Sequence, residues 1–209
     1  MIDKHILITG SDLVGKTTLI DMLQQEFGDN CAQSKGPLVK TPIVDYANKL
    51  MNRNPRPKDD DSIFGMDYNL FVNSLLLTSY IIDSNFYTRK YESKIHLQDS
   101  YFERTMAVID SRGVPYLNSM FDKVKCKLFA FDVSILLTAD IKTRAERLRN
   151  RGGDDMDEVI IANPDEVLAI ERFLMTKVDY CKNHMVIDNS NLTKEETLEV
   201  AKHHIINSV

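Results

Sequence analysis

The sequence has few of the features that mark membrane proteins or disulfide-bonded scaffolds. It contains no tryptophan, and no apolar run approaches the ~20 residues that a membrane-spanning helix needs. Its cysteines are Cys31, Cys126 and Cys181, an odd number without a Cys-x-x-Cys pair, so disulfides are not expected. The first residues also lack the pattern of a secretory signal, because their apolar stretch covers only residues 6–8. We therefore expect a cytoplasmic protein with reduced thiols and no membrane partner.

Negatively charged residues outnumber positively charged ones. The 209 residues include 26 Lys and Arg against 31 Asp and Glu, which gives a formal net charge of −5. A chain of this charge has no overall basic field for gripping a polyanion, and we expect no nucleic-acid partner. The length and an apolar content of 43% suit one α/β domain over residues 1–209 with a full core.

Segments with the pattern of strands alternate along the chain with segments in which apolar residues have helical spacing. Such alternation predicts a three-layer α/β/α sandwich, in which helices flank a parallel sheet of five strands. The predicted strands cover residues 5–9, 94–99, 133–138 and 184–188, with a weaker one between 28 and 40. The predicted helices cover residues 16–27, 41–51, 68–85, 101–112, 116–125, 141–151, 164–180 and 194–206.

A glycine-rich loop follows the first predicted strand. Residues 10–17 read Gly-Ser-Asp-Leu-Val-Gly-Lys-Thr and match G-x-x-x-x-G-K-[ST], the pattern of a phosphate-binding P-loop, without a gap. Gly10 and Gly15 permit backbone angles that strain other residues, so the loop can aim its N–H groups at phosphate oxygens. We expect Lys16 to reach the β- and γ-phosphates of ATP and the Thr17 hydroxyl to ligate Mg²⁺. The expected nucleotide-binding residues of the loop are Gly10, Ser11, Asp12, Leu13, Val14, Gly15, Lys16, Thr17 and Thr18.

Further segments resemble the thymidylate kinase and deoxynucleoside kinase family of P-loop kinases. Residues 10–18 fit the family's loop G-x-D-x-x-G-K-[ST]-T, and the resemblance implies that Asp12 reaches towards the acceptor sugar. Asp99, Ser100 and Tyr101, at a predicted strand end, resemble the family's Asp-Arg-Tyr. A carboxylate there would hold metal-bound water or steer the acceptor hydroxyl. Asp99 is therefore a catalytic candidate and, with Thr17, a candidate for the metal site.

The basic helix predicted at 141–151 resembles the family's lid, which carries R-x-x-x-R after a strand. Arg147 and Arg151 are four residues apart, so they share a helix face. Arginines suit phosphate contacts and stabilise charge on a transferring group. The resemblance implies catalytic roles for both, contact with the nucleotide for Arg147, and a lid segment around 144–160 with Gly152 and Gly153 as its hinge. Leu13 occupies the position at which some thymidylate kinases carry a catalytic arginine, so the lid is the expected source of that charge.

Three residues depart from the thymidylate kinase pattern on the acceptor side. Ser100 replaces an arginine that helps to hold the acceptor, Ser79 stands where an arginine reads the thymine edge, and Ile109 replaces a glutamine. Arg104, four residues after Ser100, is our candidate catalytic residue for supplying the missing charge. The resemblance thus implies transfer of the γ-phosphate of ATP with Mg²⁺ but leaves the small acceptor open. Thymidylate, another nucleotide, a nucleoside and a different hydroxyl compound are all compatible with these departures.

Two interpretations of other classes stay open. Residues 110–113 read Asp-Ser-Arg-Gly and match the D-x-x-G signature of GTPase switches, although no N-K-x-D guanine motif occurs in the sequence. Gly36 stands where the family often has the glutamate of Arg-Glu-Pro. This departure and Ser100 are also compatible with a degenerate kinase fold that only binds nucleotide. The apolar segment at 68–82 suits the interface of a homodimer and a buried core helix equally well.

Overall fold

The computed structural model describes residues 4–39, 41–51, 62–63, 66–87, 94–111, 116–151, 163–177 and 181–208. Its strands are β1 (Lys4–Thr9), β2 (Cys31–Lys35), β3 (Ser62–Ile63), β4 (Met66–Asp67), β5 (Ile95–Asp99), β6 (Val133–Thr138) and β7 (Asn183–Asp188). Its α-helices are α1 (Lys16–Phe27), α2 (Pro42–Met51), α3 (Tyr68–Phe86), α4 (Phe102–Ser111), α5 (Tyr116–Val124), α6 (Ile141–Arg151), α7 (Pro164–Lys177) and α8 (Lys194–Asn207). The chain forms two compact units, the first made of Met1–Gly36, Lys90–Asp122 and Ala130–Val209 and the second of Pro37–Arg89 and Lys123–Phe129.

A five-stranded sheet forms the centre of the first unit. Its strand order is β2-β5-β1-β6-β7, and every neighbouring pair is parallel. Strands β5 and β6 are buried along their whole length, as is typical of parallel strands covered on both faces. The predicted five-stranded parallel sheet flanked by helices is therefore confirmed, including its weak second strand.

Helices cover both faces of this sheet. Helix α1 presents Leu19, Ile20 and Leu23 at helical spacing to one face, where α8 adds Ala201 and Ile205. On the other face α7 packs against α4 and β6. The strand side chains of the first face form one apolar core with α1 and α8, which comprises Ile6, Ile8, Ile95, Leu97, Val133, Ile135, Leu137 and Ile187.

The strand order places a crevice at the carboxyl end of β1. The chain continues from β1 to β2 and β5 on one side of it, and β6 and β7 lie on the other. Ile8 of β1 is in register with Asp99 of β5, and Thr9 is in register with Leu136 of β6. Ligands of open α/β sheets bind where the strand order reverses in this way. The loop that follows β1 and the residues that follow β5 and β6 therefore meet at one edge.

The second unit is built around two packed helices. Ala47 of α2 packs with Val72 and Leu76 of α3 in a small apolar core, and β3 pairs antiparallel with β4. The fully buried carboxylate of Asp83 accepts a hydrogen bond of 3.0 Å from the backbone N–H of Leu38 and another from that of Val39. None of the described helices is long and apolar enough to cross a membrane.

The predicted elements match the observed ones to within one residue wherever the structure describes them. Helix α4 begins one residue later than predicted. The buried Tyr101 lies directly before it and packs edge-on against Phe131, with 5.5 Å between the ring centroids. Thr193 forms the N-cap of α8 in a reciprocal capping box with Glu196. Residues 178–180 of the predicted helix 164–180 lie outside the described residues.

Two buried histidines lie side by side on β1 and β5. His5 and His96 are in register, and their ring centroids are 5.2 Å apart. Nε2 of His96 is 2.8 Å from the hydroxyl of Ser34 on β2. Burial lowers the pKa of His96 from 6.5 to about 4. The folded protein therefore keeps this imidazole neutral over a pH range in which the unfolded chain binds a proton.

We expect the free energy of unfolding to fall as the pH is lowered from about 6.5 towards about 4, because protonation of His96 favours the unfolded chain. The contribution is at most about 1.4 kcal/mol per pH unit. Urea denaturation at a series of pH values measures it. His96→Gln should flatten the slope, whereas His203→Gln, at an exposed position on α8, should leave it unchanged. A His96→Gln variant with the wild-type slope would contradict this account.

Candidate phosphate-binding site

The loop between β1 and α1 has the backbone angles that its glycines predict. Gly10 has φ of 149°, and a Cβ there would lie 2.5 Å from the carbonyl oxygen of Leu137. Gly15 has φ of 95° and stands directly before α1. Leu13 also adopts a left-handed φ of 62°, which costs a residue with a side chain roughly 1 kcal/mol. The motif therefore folds into a tight loop that needs outside support at Leu13.

Side chains from other elements hold three consecutive carbonyl groups of this loop. Nη1 of Arg144 donates to the carbonyl of Asp12 at 2.9 Å, and Nη1 of Arg147 donates to that of Leu13 at 3.1 Å. Nδ2 of Asn189 donates to the carbonyl of Val14 at 2.6 Å. In a trans peptide the C=O and the next N–H point in opposite directions. The N–H groups of residues 13–15 are thereby directed away from these donors and can serve an anion.

A buried ion pair supports the loop from the protein interior. Arg144 is fully buried, and its guanidinium contacts Glu171 of α7. Its Nε donates to the carbonyl of Ala139 at 2.7 Å, and its Nη1 also contacts the Ser11 hydroxyl. The Ser11 hydroxyl donates in turn to Oε1 of Glu171 at 3.1 Å. The pair was not predicted from the sequence. Its one signal there is an acidic residue at 171, flanked by the buried Ile170 and Leu174 on a core-facing side of α7.

Most of the predicted site residues line one cavity of about 620 Å³ in the first unit. Gly10, Ser11 and Val14 are buried and are not among the described residues that line it. Arg151 ends α6, and its side chain is outside what the structure describes. The predicted residues that line the cavity are Asp12, Leu13, Gly15, Lys16, Thr17, Thr18, Asp99 and Arg147, and they are joined by Lys35, Asn150, Asn189, Leu192, Thr193, Lys194 and Thr197.

The loop lysine has an unusual protonation equilibrium. Nζ of Lys16 donates to the carbonyl of Ser11 at 2.6 Å. Burial lowers the pKa of Lys16 from 10.5 to about 8, although the carboxylates of Asp12 and Asp99 act in the opposite direction. Burial, reinforced by the neighbouring Arg144, also lowers the pKa of Arg147. Both cations are therefore poorly solvated and gain from an anion in the cavity.

The two candidate carboxylates are each paired with a cation. Oδ2 of Asp12 is 2.6 Å from Nη2 of Arg104, and Oδ2 of Asp99 is 3.6 Å from Nζ of Lys35. The expected helix-face relation between Ser100 and Arg104 does not hold, because α4 begins only at Phe102. Arg104 reaches the site through Asp12 instead. The Ser100 hydroxyl donates to Oδ1 of Asp99 at 3.3 Å.

The buried side-chain amide of Gln98 binds the backbone just after β2 and just after β5. Nε2 of Gln98 donates to the carbonyl of Gly36 at 2.7 Å and to that of Ser100 at 2.8 Å. Both of these residues have left-handed backbone angles, with φ of 72° at Gly36 and 56° at Ser100. Gln98 thus fixes the backbone on either side of the ion pair between Lys35 and Asp99.

The donor set suits a magnesium ion bound together with phosphates. The Thr17 hydroxyl and the Asp99 carboxylate line the same cavity as Lys16. Both are oxygen ligands, which Mg²⁺ prefers, and Mg²⁺ commonly takes its other ligands from phosphates and water. Among the described residues no cluster of three or more His, Cys, Asp and Glu side chains could hold a metal by itself. The site therefore fits Mg²⁺ that arrives with a nucleotide.

Asp110, Ser79 and Ile109 are not among the described residues that line the cavity. Asp110, which begins the match to a GTPase switch, is in the last turn of α4. Ser79 is fully buried in α3, and its hydroxyl donates to the carbonyl of Leu76 in the same helix at 2.7 Å. Ile109 is buried on α4. The Ser79 hydroxyl is therefore engaged by the backbone of its own helix.

Comparison with solved structures identifies the fold, whereas comparison with known sequences finds no match. No protein-family model matches the chain, and no curated protein sequence matches it. A thymidylate kinase from Candida albicans superposes with a TM-score of 0.67 and 16% identity, covering 98% of this chain and 92% of that one. A deoxyadenosine kinase from M. mycoides with bound dATP gives a TM-score of 0.62 and 16% identity over 97% and 100%. The same enzyme with bound dCTP gives 0.59 and 17% over 98% and 100%. The chain therefore has the P-loop kinase α/β fold that is seen in these thymidylate and deoxyadenosine kinases.

Proposed function

We propose that the protein is an ATP-dependent phosphotransferase that moves the γ-phosphate of ATP to a small acceptor, a nucleotide or a nucleoside. One observation carries the proposal: the loop residues Asp12, Leu13, Gly15, Lys16 and Thr17 line a single cavity together with Asp99 and Arg147 at the carboxyl end of β1. The nature of the acceptor is taken from the structural neighbours, which are a thymidylate kinase and a deoxyadenosine kinase.

The catalytic contribution of such a site is positioning and neutralisation of charge, because phosphoryl transfer requires little covalent chemistry from the protein. The amides of residues 13–15 and Lys16 would bind the β- and γ-phosphates. Arg147 would stabilise negative charge that develops on the transferred group. Thr17 and Asp99 would hold Mg²⁺, which would supply positive charge to neutralise the phosphates. Arg147 of the expected lid already contacts the loop. Residues 152–160 of that segment, including the expected hinge at Gly152 and Gly153, lie outside the described residues.

The acceptor would lie towards Asp12 and Asp99. If the acceptor is a phosphate monoester, its oxygen is already anionic and no general base is needed. If it is an alcohol, one of these carboxylates must receive the proton. Arg104 would neutralise negative charge of an acceptor bound beside Asp12. Its Nη2 is 2.6 Å from Oδ2 of Asp12. Because Ser79 binds its own helix, acceptors other than thymidylate belong in the first assays.

Lys16→Met tests the core of the proposal. ADP release is measured with Mg·ATP and a panel of deoxynucleosides, deoxynucleoside monophosphates and unrelated hydroxyl compounds. The wild type should release ADP in the presence of at least one acceptor. In Lys16→Met this rate should be lower by a factor of about 100 or more, as expected when a main electrostatic contact is removed. Lys202→Met, which removes a lysine paired with Glu26 and Glu199 on the surface, is the control and should keep the rate. Acceptor-dependent turnover that survives in Lys16→Met would refute the mechanism.

The affinity for Mg·ATP should fall as the pH rises through about 8. Phosphates favour protonated Lys16, and the free protein loses that proton near this pH. Above it, binding must take up a proton, so the dissociation constant should rise by up to about tenfold per pH unit. Isothermal titration calorimetry over this range, in buffers of different ionisation enthalpy, measures both the affinity and the proton uptake. Lys16→Arg, which stays protonated, should give a flat profile. A flat wild-type profile would show that Lys16 does not control binding.

Arg104→Ala should impair use of the acceptor and spare use of ATP. Removing the guanidinium leaves Asp12 without its partner, so the acceptor KM should rise or kcat should fall, by roughly tenfold for a partly exposed charged contact. The KM for ATP should stay within about twofold. Arg172→Ala, an exposed arginine on α7, is the matched control. An unchanged rate and KM with the active acceptor would remove Arg104 from the acceptor site.

A further inference from the structure

The ion pair between Arg144 and Glu171 is unusual for its place in the fold. Arg144 is fully buried and Glu171 is 7% exposed, so both charges are removed from water. A buried ion pair is often no more stabilising than two apolar side chains of similar size. The stability of the first unit therefore does not by itself explain why a guanidinium and a carboxylate are buried at this place. The hydrogen bonds that the pair makes to the phosphate loop suggest another reason.

Arg144 connects three segments around the loop. Its guanidinium contacts the carbonyl of Ala139 after β6, the hydroxyl of Ser11 and carbonyl of Asp12 in the loop, and the carboxylate of Glu171 on α7. Glu171 also accepts the hydrogen bond of the Ser11 hydroxyl at 3.1 Å. The planar fork of an arginine can serve these partners together, whereas the compact ammonium of a lysine cannot.

The two arginines that face the loop from α6 hold the peptide groups on either side of Leu13. Arg144 binds the carbonyl of Asp12, and Arg147, one helical turn later, binds the carbonyl of Leu13. Leu13 has a left-handed φ of 62°, which is unfavourable for a leucine in a free loop. The orientation of the N–H groups on the other side of these peptides therefore depends on the two guanidinium groups.

We propose that Arg144, held by Glu171, is a positioning residue that fixes the phosphate loop in its anion-binding conformation before the nucleotide arrives. This inference rests on the proposed use of a nucleoside triphosphate. Arg144 acts through the backbone of Asp12 and the hydroxyl of Ser11 and does not touch the phosphates. Its charge is balanced by Glu171, so its effect on the nucleotide is geometric rather than a gain in positive potential. Preorganisation of this kind raises affinity by removing the cost of ordering the loop on binding.

The test compares Mg·ATP affinity with thermal stability in a double variant. Arg144→Met alone would leave the Glu171 carboxylate buried without its cation and could unfold the first unit. Arg144→Met/Glu171→Met removes both charges together and replaces them with unbranched apolar side chains. We expect its Tm to lie near that of the wild type and its dissociation constant for Mg·ATP, measured by calorimetry, to rise at least tenfold. Wild-type affinity in the folded double variant would overturn the inference.

Two single variants keep the inference testable if the double variant does not fold. Ser11→Ala removes a loop-side partner of both charges and should weaken Mg·ATP binding several-fold. Glu171→Gln separates geometry from charge, because it leaves Arg144 as an uncompensated cation near the phosphates. Positioning predicts weaker binding in Glu171→Gln, whereas a purely electrostatic role predicts tighter binding. Unchanged affinity in Ser11→Ala, or tighter binding in Glu171→Gln, would contradict the inference.

Matched controls separate this effect from general destabilisation. Ile205→Val should lower stability through the core between α8 and the sheet. The carbonyl of Ile205 accepts a hydrogen bond of 2.7 Å from Nζ of Lys4 at the start of β1, at the end of this strand opposite to the loop, so the affinity for Mg·ATP should not change. Lys142→Met removes an exposed charge from α6 and should leave the affinity within about twofold. If the wild type itself binds no Mg·ATP, the proposed function fails before any variant is compared. Failure of the inference alone requires a wild type that binds and variants that bind equally well.

Discussion

The hydrogen bonds to the carbonyl groups of Asp12, Leu13 and Val14 are the constraint on which the rest of the site depends. A glycine loop supplies the freedom to turn, but freedom alone does not select one set of peptide orientations. Here the selection comes from outside the loop, through two arginines of α6 and one asparagine after β7. A row of amide groups with a fixed direction is what an anion requires, because it then binds without reorganising the protein.

The order of the strands explains why these donors are available at that place. Reversal of the strand order at β1 brings the segments after β6 and β7 to the edge at which the loop begins. Arg144 and Arg147 follow β6, and Asn189 follows β7, so the donors come from the side of β1 opposite to β5. Asp99 and Lys35, at the ends of β5 and β2, lie on the other side. The candidate site thus has a side that shapes the phosphate loop and a side that carries the paired carboxylate.

Much of this arrangement could be predicted from the sequence. Apolar periodicity and the glycine motif located the helices, the loop and the five strands of the sheet, because these depend on residues that are close in the chain, whereas the short β3 and β4 were not predicted. The inward direction of Arg144 could not be predicted, since Arg144, Arg147 and Arg151 have spacings that place all three on overlapping faces of one helix. Which of them is buried depends on Glu171, 27 residues further on. The pairing of Arg104 with Asp12 could not be predicted for a similar reason, because the two residues are 92 positions apart in the chain.

The side chain of Asn189 has a further consequence for how the last strand is connected to the loop. Its Nδ2 donates to the carbonyl of Val14, while its Oδ1 accepts from Arg147. Only one of the two rotations of the amide satisfies both neighbours, so the side chain acts as a connector with a fixed polarity. An aspartate of the same shape would still accept from Arg147 but would set an oxygen against the oxygen of Val14. The exchange of a single NH₂ group for oxygen would therefore remove the direct contact with the Val14 carbonyl and leave only the link through Arg147.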